Sequence, residues 1–215
     1  PILHLTAPMT QDALLNAFVT FFVTIDPPGL VGIFLALTGG MTSKQRRQTA
    51  LRGTCIGIAI LLAFMMVGGI LLQTLGISMA AFRIAGGLLL FYIAFEMVFE
   101  KRAERKVESA KRVVSQSEMQ SIAVFPLAIP LIAGPGAISA SILLAGDFDG
   151  VLGRFALIGI LLLIGLILYV SLLLADRLNG YIGETGQIIM TRLLGIILAA
   201  LSVQFVIDGV RALAG

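Results

Sequence analysis

Charge is what this sequence has least of. Asp, Glu, Lys and Arg together make up 13% of its 215 residues, against about 25% in a soluble domain. It has one histidine, His4, one cysteine, Cys55, and no tryptophan. A single histidine excludes a metalloprotease His pair, and His4 near the terminus is badly placed for a Ser-His triad. No phosphate-cradling G-x-x-x-x-G-K motif is present, which excludes an ATP-driven pump. An enzyme is therefore not expected, nor is a cofactor or metal. The lone Cys55 excludes an intramolecular disulfide. Residues 1–11 lack the basic stretch and small-residue cleavage site of a secretory signal.

What the chain has instead is apolar length. Hydrophobic residues make up 58% of it, and the mean hydropathy is +1.03. A soluble fold of this size could not hide so much apolar surface from water. Six stretches are each long enough to cross a bilayer as a helix, which needs about 20 apolar residues. They cover 14–37, 49–75, 79–99, 121–144, 152–174 and 188–212. Continuous apolar runs such as 155–174 favour helices over the short alternating strands of a barrel.

The basic residues sort by side. Lys44, Arg46, Arg47 and Arg52 lie between spans one and two, and Lys101, Arg102, Arg105, Lys106, Lys111 and Arg112 between spans three and four. Arg177 and Arg192 join them between spans five and six, leaving Arg83, Arg154 and Arg211 for the other face. The positive-inside rule puts the first group in the cytoplasm and both termini outside. The +3 net charge is therefore not a nucleic-acid footprint. The 100–120 linker reads as a solvated cytoplasmic segment or as a basic face touching anionic lipid.

Two signatures recur. Asp26-Pro27-Pro28-Gly29 in span one answers Ala133-Gly134-Pro135-Gly136 in span four, and Arg83-Ile84-Ala85-Gly86 answers Arg192-Leu193-Leu194-Gly195. Pro28 and Pro135 are 107 residues apart; Arg83 and Arg192 are 109 apart. Duplication of a three-helix unit explains both offsets. Three is odd, so the second copy enters the membrane reversed, giving inverted repeats over 14–99 and 121–212 within a single membrane domain.

Proline removes a helix donor and clashes with the preceding turn. Spans one and four are thus expected to be broken helices meeting near the midplane. Unwound backbone at that depth belongs inside protein or along a watery cavity. Asp26 reads either as a coupling or substrate-ammonium site or as an N-cap ahead of Pro27. Gly134-Pro135-Gly136 reads either as a half-helix start offering N–H groups to an anion, with Ser139 and Ser141 adding hydroxyls, or as a structural kink. Candidate substrate-binding residues are Asp26, Pro28, Gly29, Gly134, Pro135, Gly136 and Ser139. If spans three and six pack antiparallel, Asp208 lies about 24 Å beyond Arg192, level with Arg83, and Glu96 approaches Arg192. Two ion pairs can then form, Arg83 with Asp208 and Arg192 with Glu96, or each Arg snorkels to its own interface.

Several segments resemble the MarC family of inner-membrane proteins. They are Phe21-Phe22-Val23-Thr24-Ile25-Asp26-Pro27-Pro28-Gly29, Phe34-Leu35-Ala36-Leu37-Thr38, Phe82-Arg83-Ile84-Ala85-Gly86-Gly87, and the run from Pro126-Leu127-Ala128-Ile129-Pro130 through Gly134-Pro135-Gly136 to Ser139. The family often carries Asn at the position of Asp26 and a proline near Gly32. The resemblance implies transport, and one archaeal branch is similar to small neutral amino-acid transporters. The expectation is an all-α, six-helix inner-membrane secondary transporter, an exporter or exchanger of a small solute. The alternative is a membrane structural or regulatory protein without transport of its own. Expected partners are a small-molecule substrate, a coupling proton or cation and the lipid bilayer, with no nucleic acid. A homo-oligomer stays open.

Overall fold

The computed structural model describes residues 11–99, 122–148 and 150–214, all helix and connecting turn. The 100–120 linker lies outside the described residues. Among the described residues seven α-helices are formed: α1 (Gln11–Ile25), α2 (Pro27–Leu37), α3 (Ser43–Thr74), α4 (Met79–Val98), α5 (Pro135–Ala145), α6 (Gly150–Leu173) and α7 (Ala175–Ala214). An irregular stretch, Ala123–Ile132, precedes α5. Among the described residues five segments are long and apolar enough to cross a bilayer unaided, α1 with α2 counting as one of 27 residues. The sixth span is the irregular stretch joined to α5, bent by 58°.

Local sequence explains the ends. Thr42 and Gln45 cap α3 reciprocally: Gln45 N–H donates to Thr42 Oγ1 at 3.3 Å and Thr42 N–H to Gln45 Oε1 at 2.9 Å, a capping box. Ser78 accepts from Ala81 N–H at 3.1 Å to start α4. The first half of span four is not the regular helix a broken span implies. Pro126 and Pro130 each remove a donor, and the residues before them, Phe125 and Ile129, sit at φ −126° and −128°, the extended region that precedes proline. The remaining bonds reach five residues back, Leu127 N–H to Ile122 O at 3.2 Å and Ala133 N–H to Ala128 O at 2.9 Å.

Lipid tails give helices no hydrophobic reason to associate, so close packing of small residues takes over. α4 and α7 run antiparallel along a glycine seam. A Cβ on Gly87 would lie 2.9 Å from Ser202 O, one on Gly195 2.8 Å from Met97 Cβ, and one on Gly209 2.9 Å from Ala80 O. α3 seats Gly53 against Leu127, Gly57 against Ile132 and Gly68 against Ile142. α3 thus packs on the irregular stretch, on α5 and on α6; α6 packs on α1 and α2; α2 packs on α7, and α5 on α4. Large apolar side chains such as Phe91, Phe95, Phe155, Leu166 and Leu193 are left exposed, the surface a bilayer covers.

Candidate functional site

The two breaks differ in chemistry. An α-helix opens with four N–H groups that lack partners. At α2 the sequence closes that end. Pro27 and Pro28 have no N–H, Gly29 N–H donates to Asp26 Oδ1 at 3.1 Å, and Leu30 N–H reaches Asp26 O at 3.1 Å. Asp26 itself ends α1, its N–H donating to Phe22 O at 2.9 Å. It sits in the left-handed region at φ 61°, ψ 62°, which Asp and Asn tolerate better than other side chains. Asp26 is 2% exposed, so a carboxylate is held at membrane depth on backbone N–H.

At α5 the end is left open. Gly134 is the N-cap residue and no side chain caps the helix. Pro135 lacks an N–H, and Ile138 N–H reaches Gly134 O at 3.0 Å. The N–H groups of Gly136 and Ala137 therefore head the helix. Both residues are buried, Gly136 against Leu90 and Ile93 of α4. Ser139 is buried one turn along; Ser141 donates to Ala137 O at 2.8 Å and so serves its own helix. α1 packs on α5, so the two half-helices that end and begin at the two breaks lie side by side.

Pro28 has a further neighbourhood. With Val31 it lines a cavity of about 130 Å³ whose other walls are Ser171 at the end of α6 and Leu178, Gln187 and Met190 of α7. α7 turns at Gly183, φ 64°, ψ 174°, a conformation essentially restricted to glycine. Thus span six is preceded by an arm, 175–182, that the apolar pattern alone did not include.

One of the two expected charge pairs differs. Arg83 pairs with Asp147, just beyond α5, and not with Asp208, which accepts from Gln204 Nε2 at 2.8 Å. Gly209 is the residue that faces Ala80 and Arg83, which turns Asp208 about 100° around the helix, away from α4. Glu96 is 4% exposed, and the contact of Gly195 with Ala94, Met97 and Val98 sets Arg192 and Glu96 at similar levels of the seam. A second pair was not anticipated: Arg46 Nη1 meets Asp176 Oδ2 at 2.6 Å while its Nη2 reaches Thr38 O at 3.4 Å. Asp147 could have been found from the topology, since the loop after span four shares a face with Arg83. Gln187 and Ser171 carried no signal.

A multispan α-helical membrane protein with two proline-interrupted spans is the class these features define. The chain belongs to the MarC family of integral membrane proteins, which it matches over residues 11–214. It is 38% identical over 204 residues to a UPF0056 membrane protein of Methanocaldococcus jannaschii, covering 94% of this chain and 98% of that one. It is 32% identical over 196 residues to the UPF0056 membrane protein YhcE of Escherichia coli, covering 91% of each. A UPF0056 membrane protein of Aquifex aeolicus is 32% identical over 198 residues, 92% of each chain. No solved structure matches the chain.

Proposed function

We propose that this protein is a secondary transporter, an exporter or exchanger, of a small solute such as a small neutral amino acid. It is not an enzyme and acts without a cofactor. The observation that carries the reading is the pair of interruptions, Asp26-Pro27 and Gly134-Pro135, in two spans whose half-helices at the breaks pack together. Paired breaks at matching positions of two halves mark transport sites.

The packing supports an inverted duplication. Exchanging the halves turns α3 on α5 into α6 on α2, and α3 on the irregular stretch into α6 on α1. The same exchange turns α2 on α7 into α5 on α4, and leaves α4 on α7 and α3 on α6 as they are. The membrane is a bacterial-type inner membrane, with the termini outside and the 100–120 linker in the cytoplasm. Both described ion pairs suit that topology, Arg46–Asp176 inside and Arg83–Asp147 outside.

Within the site, the open start of α5 offers N–H dipoles to the carboxylate of a zwitterion. Asp26 offers its charge to the ammonium, directly or through a coupling proton or cation, and Gly29, Gly134 and Ala137 keep the space small. Purified protein in proteoliposomes, given labelled glycine, L-alanine, L-serine and L-threonine with and without a pH gradient, tests the reading. Saturable flux of at least one is expected. Flux no greater than in empty liposomes for the whole panel, from folded protein, refutes it in favour of a structural or regulatory role.

A further inference from the structure

The cavity under α2 is separate from the open start of α5, and the breaks do not explain it. Its walls come from three spans. Pro28 and Val31 lie on one face of α2, Ser171 closes α6, and Leu178, Gln187 and Met190 come from the two sides of the Gly183 turn. Only that turn lets one helix place both Leu178 and Gln187 on the same cavity. Among the described residues that line it none is charged, and two carry polar side chains, Ser171 and Gln187. Ser171 already donates to Ile167 O at 2.8 Å, so its oxygen has acceptor capacity only. The Gln187 amide lies against α2, where the missing side chain of Gly32 makes room: a Cβ there would sit 3.1 Å from Gln187 Oε1.

We infer that this cavity is the subsite for the uncharged end of the transported solute, with Gln187 as its specificity-determining residue. The inference rests on the transport reading above. Size and lining set the class. A dry cavity of about 150 Å³ holds a benzene ring of six heavy atoms, so about 130 Å³ takes a group of that size or smaller. An ammonium or carboxylate would meet no counter-charge among the described lining residues, which is strongly unfavourable. A methyl or hydroxyethyl group fits both limits, the hydroxyl pairing with the Gln187 amide. Because Pro28 belongs both to the cavity and to the turn after Asp26, a solute seated here has its other end toward the break.

The test uses full-length protein in inside-out vesicles with Cys55→Ser, so that one introduced thiol reports. Ser171→Cys is the reporter and Met190→Cys a second, each labelled by a charged, water-soluble thiol reagent from the face bearing Arg46. Labelling is expected at both. L-Alanine and L-threonine should slow it at least about threefold, whereas L-lysine, L-glutamate and L-tryptophan should not. Gln187→Leu should keep the labelling and lose the protection by L-threonine. Flux in the same preparation separates the two readings. Flux without protection overturns the subsite and leaves transport standing, while protection without flux removes transport and, with it, the subsite's part in transport, leaving a solute-binding cavity alone. Protection by all solutes alike, or labelling only by a lipid-soluble reagent as an acyl-filled crevice would give, also overturns it.

Discussion

Asp26 and Gly29 fit only as a pair. Asp26 Oδ1 accepts the Gly29 N–H at 3.1 Å, and a Cβ on Gly29 would lie 2.2 Å from Asp26 Oδ2. The carboxylate therefore occupies the space a side chain at 29 would need. The pairing lets stability be separated from transport.

Asp26→Asn should fold normally, because Asn caps as well as Asp and accepts the left-handed conformation. Asp26→Ala should lose about 1 kcal/mol from the cap and roughly 1–2 kcal/mol more from the left-handed backbone. Gly29→Ala should cost at least the cap. Thermal unfolding in detergent ranks the three. In proteoliposomes Asp26→Asn should lower flux at least tenfold if the charge serves a substrate ammonium or coupling ion. Flux at the normal rate, with normal pH dependence, would leave Asp26 as a cap alone.

The α4–α7 seam predicts a second ordering. Gly87→Ala sets a Cβ 2.9 Å from a backbone oxygen of α7, and Gly195→Ala sets one 2.8 Å from Met97 Cβ. Each should destabilise by about 1–3 kcal/mol, the cost of forcing extra volume into packed structure. Gly69→Ala meets nothing within 4 Å and should be neutral or stabilising by up to about 1 kcal/mol through helix propensity. Equal melting temperatures for all three variants would mean that the seam is looser than the distances state.

Much of this architecture was legible because the bilayer imposes it. Six apolar lengths and proline at mid-span are features of a chain placed in lipid, and both can be counted in the sequence. The cap at Asp26 was legible too, since Asp followed by Pro is a helix start wherever it occurs. Three things were not. Pro126 and Pro130 were visible, but how their lost donors reroute the backbone depends on the groove that Gly53 and Gly57 open on α3. The arm 175–182 is too polar for a hydropathy reading and too short to show its own period. The partner of Arg83 depended on helix rotation: Asp147 and Asp208 lie on the same face of the membrane, and only the close approach of Gly209 to Arg83 turns one of them away.

That last choice can be measured. A double-mutant cycle on Arg83→Gln and Asp147→Asn should show coupling, whereas Arg83→Gln and Asp208→Asn should be additive within about 0.5 kcal/mol. The Arg83 and Asp147 side chains are 19% and 39% exposed, so solvent screening keeps the expected coupling below about 1 kcal/mol. Coupling to Asp208 instead would restore the pairing expected from span lengths alone.

Topology has a direct check. In a Cys55→Ser background, a cysteine at Gly76, in the exposed turn between α3 and α4, should react with an impermeant thiol reagent in intact cells. One at Gly40, between α2 and α3, and one within 100–120 should react only after the membrane is opened. Labelling of the linker position in intact cells would invert the assignment.

The final prediction concerns the arm. Arg46 joins three elements, because its guanidinium holds Asp176 at the start of α7 and Thr38 O at the end of α2 from the first turn of α3. Asp176 stands two residues before Leu178, which lines the cavity, and the chain turns at Gly183 just beyond the arm. The Asp176 side chain is 72% exposed, so the pair is worth less than about 1 kcal/mol, which is at most about fivefold in an opening equilibrium. Asp176→Asn and Arg46→Gln should therefore each speed labelling of Ser171→Cys from the Arg46 face by two- to fivefold, leaving the melting temperature nearly unchanged. The exchange Arg46→Asp with Asp176→Arg should return the slow rate. Gly183→Ala should also change the rate with the ion pair left in place, because its backbone conformation is closed to a residue with a side chain. If the ion-pair variants and the hinge variant all label at the native rate, the arm does not control entry, and the Arg46–Asp176 pair is only a surface contact.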